Sequence, residues 1–157
     1  MPIRRDELVA WLDEFLQIGR IADESCNGLQ FEGTEEISCV GVAVDACLEA
    51  YCAAVRAECG MILAHHGFIW GGLKALRGPV LRQVEFLAEH RLNVYAAHLP
   101  LDLHAEVGNN IELARIAGLR DVQPFGEYKG RAIGVAGTLE RATGEPGQRG
   151  AIGWLAG

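Results

Sequence analysis

Met61-Ile62-Leu63-Ala64-His65-His66-Gly67 decides the fold, because four apolar residues run without a break into two imidazoles. The pattern returns where Asn93-Val94-Tyr95-Ala96-Ala97 leads into His98-Leu99-Pro100-Leu101-Asp102. Short continuous apolar runs flanked by helical patterns read as buried strands of a parallel sheet. Open α/β sheets bind ligands outside the carboxyl ends of their strands. His65, His66, His98 and Asp102 stand at such ends, and imidazole with carboxylate suits Zn, Fe or Mn. The sequence therefore points to a divalent-metal centre.

Strand and helix signals alternate around these two runs. Leu8, Val9, Leu12, Phe15 and Leu16 recur at helical intervals, which predicts an amphipathic helix within residues 3–18. Residues 27–33, Asn27-Gly28-Leu29-Gln30-Phe31-Glu32-Gly33, read as a loop opened by an Asn-Gly turn, although they could also supply polar groups to the mouth of the site. Residues 37–44 are rich in β-branched residues and strand-like. Asp45 is placed to cap a helix through about Glu58, with Gly60 ending it. Pro79 opens a further helix at the favoured first position. A short helix is expected from Ile111 to Ala117, and Arg131 to Leu139 could form one strand. This alternation is the α/β signature.

Composition narrows the functional classes. Half of the 157 residues are hydrophobic, enough for a sizeable core, and the formal net charge is −7. That balance argues against a nucleic-acid partner, which needs a basic face. No apolar stretch approaches the roughly 20 residues of a membrane span, and the first residues carry charges without an apolar segment behind them, unlike a signal peptide. The expectation is a cytoplasmic protein without a membrane partner. Five cysteines with no C-x-x-C pair fit reduced thiols better than a disulfide framework.

Each histidine also has a plainer reading. Neighbouring side chains on a strand point to opposite faces, so His65 and His66 are either a chance pair or ligands divided between two neighbouring ions. Pro100 argues against a helical arrangement of His98 and Asp102, and Asp102 could equally cap the next turn. His90 suits a helix C-terminus, and His104 is left outside the site. Glu106 and Asn109 lie near enough in sequence to be considered as a general base. No nucleotide-binding or nucleophile-elbow motif is present.

With these residues laid out, the chain resembles the Nif-three-like family, whose members carry the name GTP cyclohydrolase 1 type 2 homologues. The matching stretches are residues 27–33, Val42-Ala43-Val44-Asp45, residues 63–71, residues 95–102 and Gly108-Asn109-Asn110, in family order over about residues 5–120. The resemblance implies an α/β fold, a mixed sheet flanked by helices, in two similar lobes with a dinuclear metal site in the cleft between them. It makes His65, His66 and Asp102 metal ligands, and His98 a ligand or close supporter. It also implies two divalent metals per chain in the complete protein, a homo-hexamer built as a trimer of dimers, and hydrolase chemistry on an unidentified small molecule. The second half of the family normally adds a histidine and a glutamate. No histidine follows His104, so residues 1–125 are expected as the metal-binding lobe and 126–157 as the truncated start of a second. A non-catalytic metal-binding scaffold or regulatory ring is the alternative function.

Overall fold

A computed structural model describes residues 1–72 and 75–139, together with the strand at 149–152. The chain divides into two compact units, residues 1–98 and 99–157. In the first unit a short strand, β1 (Ile3–Arg4), leads into helix α1 (Arg5–Phe15). It then forms β2 (Gly28–Phe31), β3 (Glu36–Ile37), β4 (Val40–Asp45), helix α2 (Leu48–Arg56), β5 (Met61–His66), helix α3 (Pro79–His90) and β6 (Asn93–Ala96).

The main sheet has the order β2-β6-β5-β4, with β4, β5 and β6 parallel and β2 antiparallel along β6. The architecture is α/β with a mixed sheet flanked by helices, as expected. Strand β2 corrects the reading of residues 27–33 as a loop. Its pairing with β6, irregular between Leu29 and Phe31, is a long-range contact that so short a segment does not announce. The predicted 37–44 strand is split into β3 and β4 at Ser38 and Cys39.

The core lies between sheet and helices, where Tyr51 and Ala54 of α2 and Leu87 of α3 meet Ile62, Ala64 and Val94. Strand β6 is buried along its whole length, and the amide of Asn93 is hydrogen-bonded at both its oxygen and its nitrogen. Asn93 Oδ1 accepts from the Gly33 N–H at 2.7 Å, and Nδ2 donates to Thr34 O at 2.9 Å and Gly60 O at 2.8 Å. A buried amide with all these bonds made is tolerated in a core, whereas an unpaired one is costly.

The second unit begins with a single helical turn, α4 (Leu99–Asp102), followed by α5 (Asn109–Ile116), β7 (Leu119–Tyr128), β8 (Arg131–Leu139) and β9 (Arg149–Ile152). Pro100 was expected to argue against a helical arrangement of His98 and Asp102, yet it sits in the first turn of α4, where its missing N–H has no intrahelical partner to lose. Strands β7, β8 and β9 form an antiparallel sheet. The β7–β8 turn places Lys129 and Gly130 at φ 49° and 79°, the two left-handed residues of a tight hairpin turn that matches strand twist. Strand β7 runs through residue 125. Among the described residues no helix is long and apolar enough to cross a membrane.

Tyr95 is fully buried in β6 and its hydroxyl donates to Asp13 Oδ1 at 2.7 Å. Burial first, and the Asp13 carboxylate second, push its ionisation far above the usual tyrosine range. Burial shifts Tyr51 the same way. In the unfolded chain both phenols ionise near pH ~10, so above that pH the unfolded state sheds protons that the native state keeps. This contribution to stability is full below about pH 10 and is lost as pH rises beyond it. Denaturant melts between about pH 8 and about pH 11 are expected to show that decline, and Tyr95→Phe to flatten it.

Candidate metal centre

Parallel strands β5 and β6 pair Ala64 with Ala96, so both chains leave the sheet at the same edge. His65 and His66 end β5, and His98 follows β6 two residues after its last strand residue. The three rings converge there. Their centroids lie 4.5 Å apart for His65 and His66, 5.0 Å for His65 and His98, and 5.6 Å for His66 and His98. One ligand atom from each lies within 4.8 Å of the other two. The divergence expected of adjacent strand residues does not occur, because His66 is the last residue of β5, where the strand passes into a loop.

Each imidazole is anchored through the same ring atom. His65 Nδ1 lies 3.1 Å from Ala97 O, His66 Nδ1 2.8 Å from Asp45 Oδ1, and His98 Nδ1 3.0 Å from both oxygens of Asp23. A carbonyl or carboxylate oxygen only accepts, so in each ring Nδ1 carries the proton and donates it. That tautomer leaves the Nε2 lone pair for a cation. Metal-binding histidines are held in this way, which orients the ring and raises its basicity as a ligand. Zinc–nitrogen bonds of 2.0–2.1 Å in tetrahedral geometry imply nitrogens about 3.3 Å apart, so modest ring rotations convert the observed cluster into a coordination shell.

The carboxylate behind His98 is itself fully built into the fold. Asp23 is nearly inaccessible, and besides His98 it accepts from the Ser25 N–H at 3.1 Å and from Asn27 Nδ2 at 2.9 Å. Asn27 Oδ1 in turn accepts the His98 backbone N–H at 2.7 Å. The loop carrying Asp23 is held by backbone bonds from Cys26 N–H to Ile69 O and from Gly71 N–H to Glu24 O. Gln30 Oε1 accepts the N–H groups of Phe68 and Ile69, which fixes the chain just beyond the histidines. Trp70 then lies edge-on to His98 at 5.0 Å and 6.1 Å from His66, its Nε1 donating to Gly67 O.

Two supporting residues, Asp45 and Asp23, escaped the sequence reading, and a third, Asn27, was raised there as a polar group of the site only beside its reading as a turn. Asp45, read as a helix cap, ends β4 and holds His66, while α2 starts after Cys47 with no side-chain cap. Asn27, read as a turn, positions His98. Asp23 carried no signal at all. The Asp45–His66 register pairing is the one clue that a strand assignment could have supplied.

Asp102, the remaining expected ligand, belongs to the second unit. It is buried at the end of α4, and its Oδ1 accepts from Asn109 Nδ2 at 2.8 Å. Glu106 is exposed, and His104 Nδ1 accepts the N–H groups of Glu106 and Val107. His90 packs on Phe86 at 4.3 Å, which fits the structural role expected of it.

Fold and cluster together define an α/β lobe with a three-histidine site at the carboxyl edge of its sheet, suited to a divalent cation. Residues 3–146 match the family model Duf34/NIF3 (NGG1p interacting factor 3), and the chain belongs to that family. It is 49% identical over 142 residues to the GTP cyclohydrolase 1 type 2 homolog of Deinococcus radiodurans, covering 90% of this chain and 54% of that protein. The protein of the same name from Archaeoglobus fulgidus is 50% identical over 137 residues, with 87% and 56% covered. The crystal structure of TTHA1606 from Thermus thermophilus superposes with a TM-score of 0.76 at 45% identity, over 78% of this chain and 51% of that one. The chain thus spans about half the length of the curated relatives it matches.

Because Asp23 fixes the His98 tautomer, Asp23→Asn is expected to weaken zinc binding by about 10–100-fold. Competition against a chromophoric chelator measures it. Unchanged affinity would show that the Asp23–His98 pair does not tune the ligand.

Proposed function

We propose that this chain forms the metal-binding lobe of a divalent-metal-dependent hydrolase. The observation that carries the reading is the clustering of His65, His66 and His98, each ring anchored through Nδ1 and one ligand atom of each within 4.8 Å of the other two. Three protein ligands with a position left open are the pattern of catalytic rather than closed structural zinc sites. In this reading Asp102, four residues along the chain from His98, joins the histidines and completes a pair of ions, Zn, Fe or Mn. His65, His66, His98 and Asp102 would hold the cations, whose chemistry when bound would be to acidify a water and polarise the bond to be cleaved.

The chain's own residues do the rest. Asp23, Asp45 and the Ala97 carbonyl hold the imidazoles in the liganding tautomer, and Trp70 walls one side of the cluster. The name shared by the relatives, GTP cyclohydrolase 1 type 2 homolog, supports a small-molecule substrate with a hydrolysable ring. We extend the reading to the resemblance's remaining implications: a second lobe opening at about residue 126, a cytoplasmic location and a homo-hexameric ring. Residues 140–148 and 153–157 of that segment lie outside the described residues. The alternative, a non-catalytic metal-binding scaffold, differs in being metal-loaded yet inert.

Elemental analysis of full-length protein purified without chelators is expected to find close to two divalent metals per chain, and far less in the His65→Ala/His66→Ala variant. Equal metal in both would remove the histidine reading. Phosphoesters, nucleotides and cyclic amides, screened with added Mn²⁺ or Zn²⁺, separate enzyme from scaffold. Turnover that drops at least about 100-fold in Asp102→Asn supports the hydrolase, whereas metal-loaded protein inert to every class supports the scaffold.

A further inference from the structure

Two cysteines at the opposite ends of their strands from the histidines form a second chemical site. Cys39 lies in the gap between β3 and β4, and Cys59 closes the turn between α2 and β5. The Gly60 N–H donates to Cys39 O at 3.0 Å, so the two segments enter neighbouring strands side by side, ahead of the Val40–Met61 pairing. The two sulfurs lie 2.9 Å apart, within an ångström of the ~2.05 Å covalent distance. Both side chains are half-buried, so a small oxidant reaches them.

We propose that Cys39 and Cys59 are a redox-active pair that closes into a reversible disulfide, clasping the entry of β4 to the entry of β5. The oxidant class is a peroxide. One thiol gives up its proton and its thiolate attacks a peroxide oxygen, the O–O bond breaks, and the departing hydroxide takes up a proton, leaving a sulfenic acid and one water. The second thiol attacks the sulfenic sulfur, forming the S–S bond and releasing a second water. The two sulfurs together lose two electrons and two protons, and the peroxide is reduced to water. A small dithiol reverses the step by exchange. The same two strands carry Asp45 and His66 at their far ends, so the clasp braces the ladder that presents the metal ligands.

Burial first, and the hydrogen bond with Cys39 second, push the Cys59 thiol up to about 11. Attack requires thiolate, so closure is slow at neutral pH and accelerates as pH rises. The bond joins positions 20 apart in sequence, a loop whose closure removes substantial freedom from the unfolded chain.

Full-length protein treated with excess hydrogen peroxide and digested without reductant is expected to yield one cross-linked peptide pair, Cys39 to Cys59. It should form several-fold faster at about pH 9 than at about pH 7 and disappear with dithiothreitol. Oxidised protein should melt about 5–10 °C higher than reduced protein, a shift absent from Cys39→Ser and Cys59→Ser. Cross-links joining other cysteines, or over-oxidation of Cys39 and Cys59 to sulfinic acid without a cross-link, would overturn the proposal. The peptide map of the unaltered chain decides the matter even where a serine variant fails to fold.

Discussion

The histidine cluster depends on β5 and β6 leaving the sheet level with each other. In a parallel ladder a slip of one residue turns every side chain to the opposite face, which would part the histidines ending β5 from the one that follows β6. Asn93 guards against that slip from the other end of the strand. It pairs with Met61, its N–H and its side-chain amide both donate to Gly60 O, and its carbonyl oxygen holds Gly33. A shifted β6 would leave this amide unpaired in the core, a cost on the order of several kcal/mol for three lost bonds. The register of the three histidines is thus set by a polar residue that touches none of them.

A second constraint is electrostatic. Burying the Asp23 carboxylate is expensive unless it is fully hydrogen-bonded, and the fold supplies bonds from Ser25, Asn27 and His98. These are the bonds that orient His98. The same interactions that make the buried charge tolerable therefore pre-organise the imidazole, and the negative charge behind it favours a cation in front. His66 has a looser version of the arrangement, since Asp45 is largely exposed and its attraction is screened by solvent. Of the two carboxylates, the one on His98 is the better placed to tune a ligand.

What was legible in the sequence depends on how local each signal is. Strands β5 and β6 announce themselves as apolar runs ending in histidines, and α1 and α3 by periodicity, Pro79 marking the start of the latter. Strand β2 was hidden because Gly28–Phe31 is short and comes directly after Asn27; only its partner β6 makes it a strand. Strand β7 carries Pro124 and Gly126 and is mostly exposed, so its hairpin with β8, rather than burial, defines it. Asp23 is 75 residues from His98 and Asp45 is 21 from His66, and no spacing rule reaches so far. The histidines were readable from sequence and the carboxylates that orient them were not.

The adjacency of His65 and His66 becomes intelligible from the residue after them. A side chain on Gly67 would place its first carbon 2.2 Å from Gln30 Nε2 and 2.5 Å from Oε1. The end of a glutamine can usually move aside, but this one donates to Cys26 O and accepts from Phe68 and Ile69. Glycine is therefore required where the chain passes beneath that amide, and the turn so fixed carries Trp70 back against His66 and His98. Strand β5 ends at His66, two residues before Phe68, the first residue whose N–H Gln30 of β2 accepts. Two neighbouring imidazoles lie in one cluster because an edge strand, itself invisible in the sequence, bends the chain immediately after them.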